Sequence, residues 1–247
     1  GTDKELFSKM IGQYGEDSTV ARVAVMGLFP SADDDTVIPI DLIKSAIDRD
    51  VALAASEPII WGLDVARFGG DNSALCVRQG NHVLEIQSFP SMDLMQLCGV
   101  IKNRYDDATA MERPQEILVD VIGLGAGVVD RLAEQNLPVR GVNVAEAPAT
   151  KKNYLNLRAE LWFAIKDWLS HRDCRLPVDD ELEAELASPL YKYTSSGKIK
   201  IESKDEMRKR GIKSPDKADA LALTMASSAA SFSGSSSHFG YNFRKPL

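Results

Sequence analysis

The chain has 247 residues, 44% hydrophobic and 26% charged, the balance of an ordinary folded domain. No run reaches the roughly 18 apolar residues a membrane helix needs, and the opening GTDKELFSKM lacks the pattern of a signal peptide. Three scattered cysteines and three scattered histidines exclude a disulfide framework, a zinc cluster and a His-rich metal site, and a net charge of −7 argues against a uniformly basic nucleic-acid binder.

Residues 1–57 read differently from the rest. A short helix at 3–13 leads into YGEDST, an apolar patch and FPSADDDTVIP, and a second helix is expected from Asp41 to Ala55. From residue 59 the pattern becomes that of a sheet. Three strands are expected at 59–65, 73–78 and 82–89, separated by the turn sequences RFGGDN and RQGN. A helix over 91–106 follows, with Ser91 as its N-cap. EILVDVI is a buried strand, GLGAG opens a helix running to about 135, and VRGVNV is a further strand. Over 154–170 the residues Leu157, Leu161, Ala164, Ile165 and Trp168 share one helical face.

LYKYTSSGKIKIE reads as a hairpin turning at Ser196-Gly197. A basic helix over 204–210 is ended by Gly211. SPDKADALALTMASSAA is the last helix, with Ser214 as N-cap and Pro215 in its first turn. The Ser- and Gly-rich end, 232–247, reads as a flexible tail. Three meandering strands followed by alternating helices and strands predict an α/β fold: a mixed sheet flanked by helices, with an added β-hairpin.

The charge is unevenly spread. Residues 1–57 carry 11 acids and 5 bases, a net of −6, whereas 192–217 carry 9 bases and 4 acids, a net of +5. A local positive field matters more to a polyanion than the total, although a solvated helix face gives the same run of charge.

Asp64 ends the first strand and Asp120 the fourth. In open α/β sheets ligands gather at the carboxyl ends of strands. Asp219 lies early in the last helix, with Asp216 three residues before it on the same face. Carboxylates with no His or Cys partner form a hard-oxygen set suited to Mg²⁺ or Mn²⁺. Two such ions about 4 Å apart support phosphodiester cleavage. Each acid has a plainer reading: Asp64 as a turn former, Asp216 as a complement to the helix dipole. Asp120 interrupts an apolar strand and is the hardest to read that way, because a lone buried charge is costly. GLGAG lacks the third glycine of a dinucleotide fingerprint, since position 128 is Val, and no phosphate-binding P-loop occurs.

WGLDVARFGGDNSALCV, ILVDVIGLGAGVVDRL and GIKSPDKADALALT, in this order and spacing, resemble the nuclease domain of the large subunit of tailed-bacteriophage terminases, the DNA-packaging motors. The resemblance covers residues 15–225 or so. It implies a ribonuclease H-like fold over 58–231, preceded over 1–57 by a linker from an upstream ATPase domain. It implies that Asp64, Asp120 and Asp219 are catalytic and bind two divalent cations, Mg²⁺ or Mn²⁺, with Asp64 shared and Asp216 close by. It implies metal-dependent endonucleolytic cutting of double-stranded viral concatemer DNA, with little sequence preference.

Arg67, Lys198, Lys200, Lys204, Arg208, Lys209, Arg210 and Lys213 are then the candidates for phosphate contact. The implied partners are double-stranded DNA, the ATPase domain, the terminase small subunit and the capsid portal, with no membrane. The isolated domain is expected to be monomeric and the setting to be the host bacterial cytoplasm. Two other readings stay open: an actin-like ATP-dependent phosphotransferase, whose first strand also ends in Asp before a Gly-rich hairpin, and a non-catalytic portal-docking module using the tail from Ser227.

Overall fold

In a computed structural model of the chain, residues 35–66, 72–89, 92–149 and 152–227 are described. The chain divides into two units, 1–36 and 37–247, and the described helices and strands all lie in the second. The expected helix at 3–13 and the tail over 232–247 lie outside the described residues.

The centre of the second unit is β1 (Ile59–Asp64), buried along its whole length. Such a strand needs neighbours on both edges and layers on both faces, as its unbroken apolar run IIWGL requires. It pairs antiparallel with β2 (Ser73–Gln79), which pairs antiparallel with β3 (His82–Phe89). On its other edge β1 pairs in parallel with β4 (Glu116–Asp120), and β4 with β5 (Val139–Val142). The sheet order is β3-β2-β1-β4-β5. The expected mixed sheet is therefore present.

Chain direction reverses its spread between β1 and β4, because β2 lies to one side of β1 and β4 to the other. That is a switch point, where the diverging loops leave a crevice at the carboxyl ends.

Helices cover both faces. One face is packed by α2 (Leu94–Asp107) and α3 (Gly125–Glu134), whose Leu97, Ile101, Val128 and Leu132 meet Trp61, Leu63, Ile117 and Val119. The other face carries α1 (Ile40–Ala46), α4 (Leu157–Ser170), α5 (Asp180–Ala187) and α7 (Asp216–Thr224), together with the hairpin β6 (Tyr191–Tyr193) and β7 (Ile199–Ile201). A short helix, α6 (Lys204–Lys209), follows the hairpin.

Several local expectations change. The expected helix 41–55 ends at Ala46, because Ile47 turns extended to bridge Leu176, while the Ala46 carbonyl accepts from Leu176 N at 2.9 Å. The cap of α2 is Asp93, not Ser91. Its carboxylate accepts from Gln96 N while Gln96 answers the Asp93 N–H, a capping box. Pro215, not Ser214, occupies the cap position of α7, and Ser214 Oγ is buried without a hydrogen-bond partner. Helix α5 was not expected from the sequence: DDELEAELA is acidic and carries only two fully buried leucines, Leu182 and Leu186.

Two glycines set the packing. A Cβ on Gly62 would lie 2.0 Å from the Ala220 carbonyl oxygen, so only glycine lets α7 lie against β1. A Cβ on Gly125 would lie 1.6 Å from the Asp120 carbonyl oxygen, so the GLGAG turn closes tightly over the end of β4. At the far end of α7 the buried Arg78 donates to the Thr224 carbonyl at 2.9 Å and to Thr224 Oγ1 at 2.8 Å. A cation there complements the helix terminus. Gly62→Ala is expected to displace α7 and destabilise the domain by about 3 kcal/mol or more, as overpacking against backbone does. A melting temperature within a degree of wild type by differential scanning calorimetry would refute this.

Candidate active site

Successive side chains alternate across a strand, so Ile60, Gly62 and Asp64 share one face of β1. The register pairs Gly62 with Leu118 and Leu63 with Val119, which carries Asp64 and Asp120 to adjacent strand ends on that same face. It is the face that α7 covers, and α7 begins with Asp216 and Asp219. The sheet and one buried helix thus deliver Asp64, Asp120 and Asp219 to one crevice, with Asp216 beside it. A cleft of about 490 Å³ is lined by Asp64, Asp120, Asp219, Arg158, Lys204 and Arg208, with Ile122, Val144, Leu161 and Leu223 among its apolar walls. Asp216 faces a second cleft of about 610 Å³ beside it, which Arg208 also lines.

A cation sits among the acids. Lys204 Nζ lies 3.0 Å from Asp64 Oδ2, 3.4 Å from Asp216 Oδ1 and 3.4 Å from Asp219 Oδ2. Asp120 is held differently, its Oδ1 accepting from Ile122 N at 3.1 Å. Asp219 is the most strongly tied: its Oδ1 accepts from Trp162 Nε1 at 2.8 Å and from Arg158 Nη2 at 3.1 Å.

The electrostatics follow from charge counting. Four acids face Lys204 and Arg158, so negative charge is in surplus in a poorly solvated place. Burial, with Asp219 and Asp216 adding repulsion, pushes the Asp64 carboxyl up to about 7 despite Lys204. Burial raises Asp120 too, opposed by the Ile122 N–H. Burial acts the same way on Asp219, but Arg158, Lys204 and the Trp162 indole outweigh it and hold that carboxyl below its usual range. Burial works against the Lys204 ammonium, yet Asp64, Asp219 and Asp216 hold it above its ordinary range.

Among the described residues no group of three or more His, Cys, Asp or Glu side chains is already arranged as a metal cage. The Lys204 ammonium stands between Asp64, Asp216 and Asp219 instead. The donor chemistry nevertheless suits a hard divalent cation: all-oxygen, buried and over-charged for one ammonium. Asp64, Asp120 and Asp219, with Asp216, are the residues that could hold it.

The basic candidates take different places. Lys204 points into the acids. Lys200 pairs with Glu206 at 3.3 Å, Arg208 with Asp205 at 2.9 Å and Arg210 with Glu202 at 2.7 Å. Lys209 and Lys213 are exposed, Lys198 follows the hairpin turn, and Arg67 lies outside the described residues. Arg208 is the one of these, besides Lys204, that lines the acidic cleft.

Sequence reasoning missed Arg158 and Trp162. Their signal was present: a cation and an indole four residues apart on α4, where both project from one side. It also missed α5 as a support. Asp179 and Glu181 hold the buried Lys217 at 2.7 and 2.9 Å, and Glu185 Oε2 accepts from Ala218 N at 2.9 Å, capping α7 in place of its own residues.

Burial, with repulsion from Asp216, Glu181 and Asp219, pushes Glu185 up to about 8. Its folded pKa thus exceeds its unfolded value of about 4.3. Stability from this group is complete below that value and is lost as pH rises through about 8. Glu185→Gln keeps an acceptor for Ala218. It is expected to match wild type near pH 4.5 and to melt at higher temperature than wild type at pH 8.5. Melting curves across pH check this, and a difference that does not vary with pH would refute it.

No family model matches the chain, and no curated protein matches its sequence. Solved structures do. A mutant nuclease domain of the large terminase subunit gp2 of bacterial virus Sf6, solved with manganese, is 20% identical with a TM-score of 0.64, over 77% of this chain and 98% of that one. The large terminase nuclease of thermophilic phage G20c, with bound magnesium, is 14% identical with a TM-score of 0.56, over 80% and 98%. The large terminase nuclease domain of Thermus phage P74-26 is 13% identical with a TM-score of 0.55, over 78% and 95%. The fold is that of the terminase nuclease domains. The mixed sheet flanked by helices is thus as the sequence motifs implied. No helix among the described residues is long and apolar enough to cross a membrane.

Proposed function

We propose that this chain is a metal-dependent endonuclease domain that cuts double-stranded viral concatemer DNA during genome packaging. It acts through two divalent cations, Mg²⁺ or Mn²⁺, with little sequence preference. The observation that carries this reading is the crevice itself. Asp64, Asp120 and Asp219 line one cleft at the carboxyl ends of β1 and β4, and a half-buried cation, Lys204, lies within 3.4 Å of Asp64, Asp219 and the neighbouring Asp216, in a terminase-nuclease fold. The similar structures solved with manganese and magnesium support a divalent ion as the cofactor.

Asp64, Asp120 and Asp219 would hold the ions, with Asp64 shared and Asp216 as an additional oxygen. When bound, such ions lower the pKa of water and stabilise a leaving phosphate oxygen. The chain supplies the rest. Rigid strand ends fix Asp64 and Asp120, and α7, clamped at Gly62 and Arg78, fixes Asp219. The apolar wall of Ile122, Val144, Leu161 and Leu223 keeps the acids poorly solvated, which strengthens their pull on a cation. Arg208 at the mouth contacts a phosphate, with Arg67, Lys198, Lys200, Lys209, Arg210 and Lys213 as further contacts along the backbone.

In the full-length protein an ATPase domain, the small subunit and the capsid portal are the partners, in the host cytoplasm. Cleavage of supercoiled plasmid in Mn²⁺, abolished by EDTA, tests the reading. Plasmid that stays intact in Mn²⁺ at low salt, with a folded domain, counts against it. Calorimetry with ATP separates it from a phosphotransferase: no heat of binding is expected.

A further inference from the structure

Asp219 is held in a way that its role as one acid among four does not require. Its Oδ1 receives three N–H groups: Trp162 Nε1 at 2.8 Å, Arg158 Nη2 at 3.1 Å and Arg158 Nε at 3.2 Å. A carboxylate oxygen has two lone-pair directions, so Oδ1 is saturated. Oδ2 is less occupied: it accepts one long hydrogen bond from Arg158 Nη2 at 3.4 Å and lies 3.4 Å from Lys204 Nζ, so it is the oxygen with lone-pair capacity left toward the cleft.

The guanidinium is itself fixed. Its Nη1 donates to the Glu202 carbonyl at 2.7 Å, and its carbon lies 5.7 Å from the centroid of the Trp162 ring. Trp162 is fully buried. Packing alone does not demand its hydrogen bond, because in the other core the buried Trp61 Nε1 has no hydrogen-bond partner.

We propose that Trp162 and Arg158 are positioning residues that saturate Asp219 Oδ1, so that Asp219 offers a cation in the cleft a single oxygen, Oδ2, in a fixed direction. This rests on the metal-dependent reading of the cleft. A carboxylate without that clamp can rotate about its last bond and take an ion through both oxygens. The clamp forbids the rotation and pins Asp219 to one mode. Arg158 also ties that carboxylate to the backbone at Glu202, two residues before Lys204, so the acid and the lysine that faces it share one anchor.

The test compares Mn²⁺ binding by electron paramagnetic resonance in wild type, Trp162→Phe and Arg158→Lys, with circular dichroism as the fold check. Both variants are expected to bind Mn²⁺ about 10- to 100-fold more weakly, the usual cost of losing an outer partner of a ligand. In wild type the ¹H–¹⁵N indole resonance of Trp162 is expected to shift on Mg²⁺ titration, while those of Trp61 and Trp168 stay put. A merely structural tryptophan would not report the ion in this way. If the variants do not fold, the wild-type indole titration decides alone. Wild-type binding with a folded Trp162→Phe of equal affinity, or an indole that ignores Mg²⁺, overturns the positioning role and leaves the metal reading standing. A wild type that binds no Mn²⁺ overturns both.

Discussion

Asp64→Asn is expected to lower Mn²⁺-dependent plasmid cleavage by a factor of order 10³ or more while leaving the fold intact, and Asp120→Asn to do the same. Metal ions supply several kcal/mol of charge stabilisation to such a reaction. At about 1.4 kcal/mol per tenfold, losing roughly 4 kcal/mol is a thousandfold. The fold survives because asparagine matches aspartate in size and its amide oxygen can still accept from Lys204 Nζ, which donates to Asp64 Oδ2 at 3.0 Å. Asp120 keeps its Ile122 N–H through the amide oxygen of the variant. Gel quantification of nicked and linear plasmid, beside matched melting curves, measures both halves. Undiminished cleavage in both variants would remove Asp64 and Asp120 from the mechanism.

Lys204→Ala is expected to have the largest effect on stability, and one that depends on the ion. Without metal, Asp64, Asp216 and Asp219 lose the cation that lies within 3.4 Å of each. Stranding buried charge costs about 3–5 kcal/mol. For a domain of this size that is roughly a 10 °C fall in melting temperature. With Mn²⁺ present the vacated position is available to the ion. Binding at 1,000 times the dissociation constant returns about 4 kcal/mol.

The variant should therefore gain far more from Mn²⁺ than wild type, whose lysine competes with the ion for the same oxygens. Thermal melts with and without Mn²⁺ read this directly, and Mn²⁺ titration separates affinity from turnover. A variant that melts like wild type in EDTA, with no extra gain from Mn²⁺, would show that Lys204 is not the counter-ion of these acids.

Part of this arrangement was legible in the residues. Apolar runs and turn chemistry placed β1, β2 and β3 to within a residue, because hairpin strands are bounded by local signals such as RQGN. Asp120 betrayed itself by breaking ILV–VI, where a lone charge has no reason to be buried. Asp216 and Asp219 sit three apart, so helical geometry alone puts them side by side. Those features are local, and local chemistry is what a sequence displays.

The rest depended on which surfaces meet. The 204–210 run is basic, and nothing local says that Lys204 turns into the acids while Arg210 pairs with Glu202. That outcome depends on α6, after the hairpin, lying beside the start of α7. Arg158 and Trp162 lie 61 and 57 residues from Asp219, and their hydrogen bonds exist only because α4 crosses α7. Helix α5 looks like a solvated acidic segment until Lys217 and the open end of α7 are set against it. The expected helix over 41–55 stops at Ala46 because its continuation finds backbone partners at Leu176 that a lone helix lacks. By itself the sequence determined the carboxylates and the strand ends that carry them. The tertiary structure alone decided which cation stands among those carboxylates and which oxygen of Asp219 is left to it, because burial and long-range hydrogen bonding are made between segments, not along them.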